Sequence, residues 1–168
     1  MNNPNNSNNN ENTGETNEPW AKFADEVAER ESPDPRESKK LERELANFQK
    51  QYNEFSEKCN IEIPKAIREA CDEKHNQIQE AIKKARIAET LAIIPESRKE
   101  AFKEYAHDEY ASPFSLKYVT DGIYRYGQGE SLEDIKESLL AFRYDMGDEE
   151  HDRAYGMQIY NQMTSFLE

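Results

Sequence analysis

Two cysteines, one tryptophan, two valines and six glycines are all that 168 residues contain, and each scarcity excludes something. Cys59 and Cys71 supply neither a disulfide framework nor a zinc quartet, and each falls where a helical stripe takes a small apolar residue, so both read as reduced core thiols. Val27 and Val119 are too few for a sheet, and no segment alternates apolar with polar residues. Of the glycines, Gly14 lies in an Asn-rich tail, Gly127, Gly129 and Gly147 mark turns, and Gly122 and Gly156 fall inside helical patterns. None is left for a phosphate-cradling loop, and the two helical ones signal close helix approach. Gly-x-Ser-x-Gly, Cys-x-x-Cys and His-Glu-x-x-His runs are missing as well, which leaves no catalytic motif to build on and points away from an enzyme. No apolar run nears the roughly 18 residues that cross a bilayer, and no basic segment leads into an apolar one at the start, so a cytoplasmic chain with no membrane contact is expected.

Charge is abundant instead. Against 22 basic residues stand 35 acidic ones, a net charge of −13. Direct nucleic-acid binding draws on clustered Lys and Arg that displace counterions, and this balance argues against it. Leu, Ile, Val and Phe together number 28 of 168, below the roughly 20% that flags disorder in a highly charged chain. Part of the chain is therefore expected not to fold alone.

The periodicities divide the chain into four stretches. Residues 1–18, nearly all Asn with other small polar residues, read as a disordered tail. Residues 19–36 hold a short amphipathic helix in which Trp20, Phe23, Ala24 and Val27 share one face, followed by a Pro-broken linker. Residues 37–94 read as a long antiparallel hairpin. Leu41, Leu45, Phe48, Tyr52, Phe55 and Cys59 recur with spacings of four and three, Asn60 can end that helix, and Pro64 can open the next, which runs to Ile94. Residues 95–168 read as an acidic, aromatic-rich bundle of about four helices, punctuated at Pro95, Ser112-Pro113, Gly127-Gln128-Gly129 with Ser131, and Gly147-Asp148. Its first helix is expected to reach Ala111, and its third to carry Leu132, Ile135, Leu139 and Phe142 on one stripe. The fold class is all-α.

Each of the three histidines follows a carboxylate by three residues: Asp72 and His75, Glu104 and His107, Asp148 and His151. Glu-x-x-His from two helices is how bundles hold a metal pair, and only Glu104 and His107 fit that form strictly. Solvated helix-surface pairs are the plainer reading, so no metal or other cofactor is assigned. Cys71 and His75, one turn apart, have no orienting partner that would make them nucleophile and base.

The last forty residues carry ten acidic and three basic side chains, −7 of the total. Nine of these acids fall in two clusters: Glu130, Glu133, Asp134 and Glu137, then Asp145, Asp148, Glu149, Glu150 and Asp152. Both flank helix starts, where the macrodipole favours negative charge. Carboxylates spaced along rigid helices can also imitate a run of phosphates and speed encounter with a basic groove. Trp20, Phe23 and Val27 are a second candidate, since an aromatic pair one turn apart on a tethered helix suits helix-in-groove binding. The expected function is a non-enzymatic protein-protein interaction protein, in its most concrete form a DNA-mimic-like inhibitor of a nuclease or other nucleic-acid-binding protein, as in phage or plasmid anti-defence. The alternatives are a coiled-coil adaptor that homodimerises through the seam from Leu41 to Cys59, and a metal-binding helical bundle.

Overall fold

The computed structural model describes residues 34–59, 62–110 and 112–168. Among them are six α-helices and no strand: α1 (Glu37–Lys58), α2 (Lys65–Leu91), α3 (Lys99–His107) entered through a 3₁₀ turn (Glu96–Arg98), α4 (Ser112–Gly127), α5 (Leu132–Ala141) and α6 (Glu149–Ser165). The all-α fold follows from the period of the apolar residues. Pro35–Glu168 form one unit. Trp20, Phe23, Val27 and the Asn-rich tail lie outside the described residues, as does Asn60.

α1 and α2 form the antiparallel hairpin, and its pairs step along it: Ser38 with Glu89, Glu42 with Arg86, Gln49 with His75 at 3.0 Å, and Phe48 beneath the Lys74 ammonium at 4.7 Å. The start of α1 has no side-chain cap of its own. Glu89 supplies one from α2, accepting the Ser38 amide at 2.9 Å and its hydroxyl at 2.6 Å, so an orphan donor of the first turn meets a full negative charge. Arg36 then stacks on the Tyr124 ring at 3.7 Å and, with Lys39, holds Asp121 of α4 at 3.1 and 3.4 Å. The hairpin root is thereby fastened to the bundle.

The core lies where α2 ends and α3 to α6 meet. Ile94, Phe102, Ala106, Leu116, Val119, Ile123, Ile135, Leu139, Ile159, Met163 and Phe166 are buried together, with Ile87, Leu91 and Ile93 of the hairpin packed against them. Gly122 and Gly156 are where helices touch, as their positions in the sequence imply. A Cβ on Gly122 would meet the Met163 side chain, and one on Gly156 would strike the Leu139 carbonyl of α5.

Three boundaries differ from the sequence reading. α2 stops at Leu91 rather than Ile94, because Ala92–Ile94 turn to bury Ile94 in the core. α3 stops at His107 rather than Ala111: the Asp108 carboxylate accepts the Tyr110 amide at 2.8 Å, closing an Asx turn that competes with the helix, and Tyr110 is left 91% exposed. α5 stops at Ala141, and Phe142 turns out to join Tyr118, Tyr144 and Tyr155 in an aromatic cluster with ring centroids 4.8 to 6.5 Å apart. Tyr144, Tyr155 and Tyr160 are therefore half-buried residues at the core margin.

Glu42 gives the root a pH dependence. Burial alone would raise its carboxyl, but hydrogen bonds from Arg86 and Lys39 outweigh burial and hold it below the ordinary 4.5. The folded chain thus binds that proton more weakly than the unfolded one, so the contact stabilises above the ordinary carboxylate range and is lost as pH falls through the lowered value. Between roughly pH 5 and pH 3 the first turns of α1 will lose hydrogen-exchange protection before the bundle does, and Glu42→Gln will flatten that dependence. Equal acid sensitivity in the variant would rule Glu42 out as the cause.

Candidate functional site

The acidic residues of the last forty positions take different places once folded. Glu130 faces Arg125, whose guanidinium donates from Nε at 2.7 Å and from its terminal nitrogen while also reaching Ser138 at 3.0 Å. The Arg125 hydrogen bond holds Glu130 below the usual carboxylate range. Asp134 sits in the first turn of α5, and its amide donates to Ser131 Oγ at 3.1 Å, the capping contact implied by Ser131-x-x-Asp134. Asp148 caps α6, accepting the His151 amide at 2.8 Å and facing the His151 ring at 2.7 Å. The backbone hydrogen bond from His151, then its ring, lowers the Asp148 carboxyl. Asp152 is only 8% exposed and accepts the Met146 amide at 2.9 Å, which clamps the loop before α6. Asp145 stands exposed in that loop at φ 59°, a left-handed conformation that a short polar side chain tolerates.

Glu133, Glu137, Glu149 and Glu150 remain exposed on α5 and the first turn of α6. Three of them, Glu133, Glu137 and Glu150, converge on one groove of about 600 Å³ between the two helices. Leu140, Ala154 and Met157 line it with them, and Lys136 and Arg153 join from either side. Lys136 is drawn back toward the Tyr160 ring at 5.4 Å. The outcome is a partly apolar channel rimmed by carboxylates, held by helices whose packing rests on Ile135, Leu139, Ile159 and Met163. Its three acids are exposed and take no part in the buried core, although Glu133 and Glu150 also lie in helix first turns.

Leu140, Met157, Lys136 and Arg153 did not emerge from the sequence as site residues. Their signal was negative: Leu140 and Met157 fall off the apolar stripes of their own helices, which fits a groove as well as a solvated face. The groove itself is set by the close approach at Gly156, and no single-helix pattern reports which faces meet.

The carboxylate-histidine pairs go separate ways. Glu104 and His107 are exposed near the end of α3, His75 is engaged by Gln49, and His151 belongs to the cap of α6. Among the described residues no three His, Cys, Asp or Glu side chains gather as a metal would require. Cys59 and Cys71 are free thiols, both half-buried. Both lie on the hairpin, outside the buried core cluster formed by the described residues. Among the described residues no helix is long and apolar enough to cross a membrane. Set against known proteins, the chain matches no family model, no curated protein and no solved structure.

Proposed function

We propose that this chain is a non-enzymatic interaction protein that presents the α5–α6 face to a basic surface on another protein. In its concrete form it inhibits a nuclease or other nucleic-acid-binding protein by occupying the groove that would hold phosphates, the strategy of phage and plasmid anti-defence proteins. One observation carries the reading: Glu133, Glu137 and Glu150 converge on one groove while the core beneath them is made by other residues. Helices fixed by the core keep the spacing of the acids they carry, and a complementary potential accelerates encounter. Leu140 and Met157 give the groove the apolar floor that converts encounter into residence.

The test is salt-dependent capture from the native host with the intact chain, compared with Glu133→Lys, Glu137→Lys and Glu150→Lys combined. A basic nucleic-acid-binding protein should be retained at low salt, released at high salt and displaced by duplex DNA. The triple variant should bind it at least about tenfold more weakly while keeping its helical circular dichroism, its melting temperature falling by only a few degrees because Glu133 and Glu150 lie in the first turns of α5 and α6. Capture that survives both high salt and the charge reversals would sink the proposal.

A further inference from the structure

The second half of α6 departs from the rest of the chain. From Ala154 to Leu167 no residue is charged, in a protein that is 34% charged, and the exposed polar positions there are Gln158, Asn161 and Ser165. Residues 110–116, at the start of α4, are equally free of charge. Both stretches line one cleft of about 700 Å³, and Tyr105 of α3 completes it. No acidic, basic or histidine side chain borders this cleft among the described residues.

Two of its aromatic walls are fixed and two are open. Tyr105 stacks on Phe166 with centroids 5.4 Å apart and is hydrogen-bonded with the Ser115 hydroxyl. Tyr155 meets Tyr118 and Tyr144 edge-on at 6.5 and 4.9 Å. Both rings are therefore held in place before anything binds. Tyr110 and Phe114, by contrast, are 91% and 72% exposed. An aromatic pair left in water beside a cleft marks a binding surface, where a single scattered apolar residue would not. The Tyr155 hydroxyl is buried with no hydrogen-bond partner among the described residues, which is destabilising until a partner reaches it.

The geometry points to a binding site for an uncharged, flat heterocycle with a hydrogen-bonding edge: a nucleobase presented without phosphate, as in a nucleoside. Tyr110 and Phe114 supply π faces for stacking, which every base accepts. The Gln158, Asn161 and Gln162 amides line the same cleft. An amide offers a donor and an acceptor side by side, the pairing that reads the ring nitrogen and exocyclic amine of adenine. Burial pushes the Tyr105 and Tyr155 phenols above their ordinary 10.0, so both remain neutral hydroxyls at physiological pH. A phosphate would find no lysine or arginine here and would meet a chain of −13, and a cationic ligand would find no carboxylate. The cleft shares no lining residue with the α5–α6 groove, so the inference does not rest on the acidic-face reading.

Titration of the full chain with adenosine, followed by nuclear magnetic resonance, tests it. Saturable binding with a Kd below ~1 mM is expected, equal at low and high salt because the ligand carries no charge. Tyr110→Ala combined with Phe114→Ala, both at positions open to solvent, should weaken it at least about tenfold with unchanged helical circular dichroism. Tyr155→Phe keeps the ring and removes only the unpartnered hydroxyl, so it should weaken binding while the melting temperature holds or rises. Adenosine monophosphate should bind more weakly than adenosine. No saturable binding up to ~1 mM, tighter binding of the monophosphate, or an affinity indifferent to the Tyr110 and Phe114 substitutions would overturn the proposal. The Glu133, Glu137 and Glu150 reversals should leave adenosine binding unchanged, so failure of the acidic-face reading and failure of this one are told apart.

Discussion

Gly156→Ala will lower the melting temperature by roughly 6–10 °C, which corresponds to a loss of about 2–3 kcal/mol. Two effects oppose each other at this position. Alanine in a helix interior is favoured over glycine by ~1 kcal/mol. The added methyl, however, would strike the Leu139 carbonyl oxygen and lie 3.0 Å from its carbon and 3.3 Å from the Leu140 Cα. Those are backbone atoms with no rotamer to change, so the overpacking cost falls at or above the top of its usual ~1–3 kcal/mol. The same carbonyl accepts the Tyr144 hydroxyl at 2.7 Å, and pushing α5 away loosens that contact too. Burial now holds the Tyr144 phenol up at about 12. Ultraviolet titration of the variant should show this tyrosine ionising nearer its ordinary 10.0. Gly122→Ala is the control, since its methyl would meet the Met163 side chain rather than backbone. A flexible thioether can yield, so this variant should lose less than Gly156→Ala. Equal melting temperatures for the two variants would mean that α5 and α6 are not locked at Gly156.

Phe102→Ala will cost about 4 kcal/mol, a large share of the ~5–15 kcal/mol that stabilises a domain. The Phe102 ring is fully buried on α3. It meets Phe166 edge-on, with centroids 5.3 Å apart at 87°, and Tyr105 at 6.2 Å. Phe166 follows directly on α6 and lies 5.4 Å from Tyr105, so one truncation opens a cavity beneath a three-ring cluster and frees the C-terminal turn. Chemical denaturation should show the midpoint falling with the slope unchanged. Near-ultraviolet circular dichroism should lose intensity even where helix content persists. A loss below about 1.5 kcal/mol would mean that the site collapses to fill the cavity.

Much of the fold was legible in the residues, and the reason is local. Leu41, Leu45 and Phe48 mark a helix because a helical face repeats every three to four residues. Ser131 and Asp148 cap α5 and α6 as their side chains allow. Gly122 and Gly156 stood out because a helix interior disfavours glycine unless something lies close by. The errors were local as well: Asp108 offered the backbone an alternative that ended α3 early, and the turn at Ala92–Ile94 cut α2 short.

The candidate site was legible only as an excess of charge. Counting found ten acidic residues in the last forty, but a count cannot separate Asp152, tucked under its loop, or Glu130, engaged by Arg125, from Glu133, Glu137 and Glu150 at the groove. That separation depends on which helix faces which, and the facing is decided by contacts between residues far apart in the chain.

Sequence alone determined the helical class, the helix starts and the acidity of the C-terminal part, because each rests on contacts within a turn or on composition. Tertiary structure alone decided that Glu89 caps α1 from across the hairpin and that Arg36 and Lys39 tie the root to Asp121. Those are meetings of groups 50 or more positions apart, such as Ser38 with Glu89 at a separation of 51 and Arg36 with Asp121 at 85. They exist only once the hydrophobic core has chosen how the helices pack, since burial drives helices together without regard to which polar side chains it brings into reach.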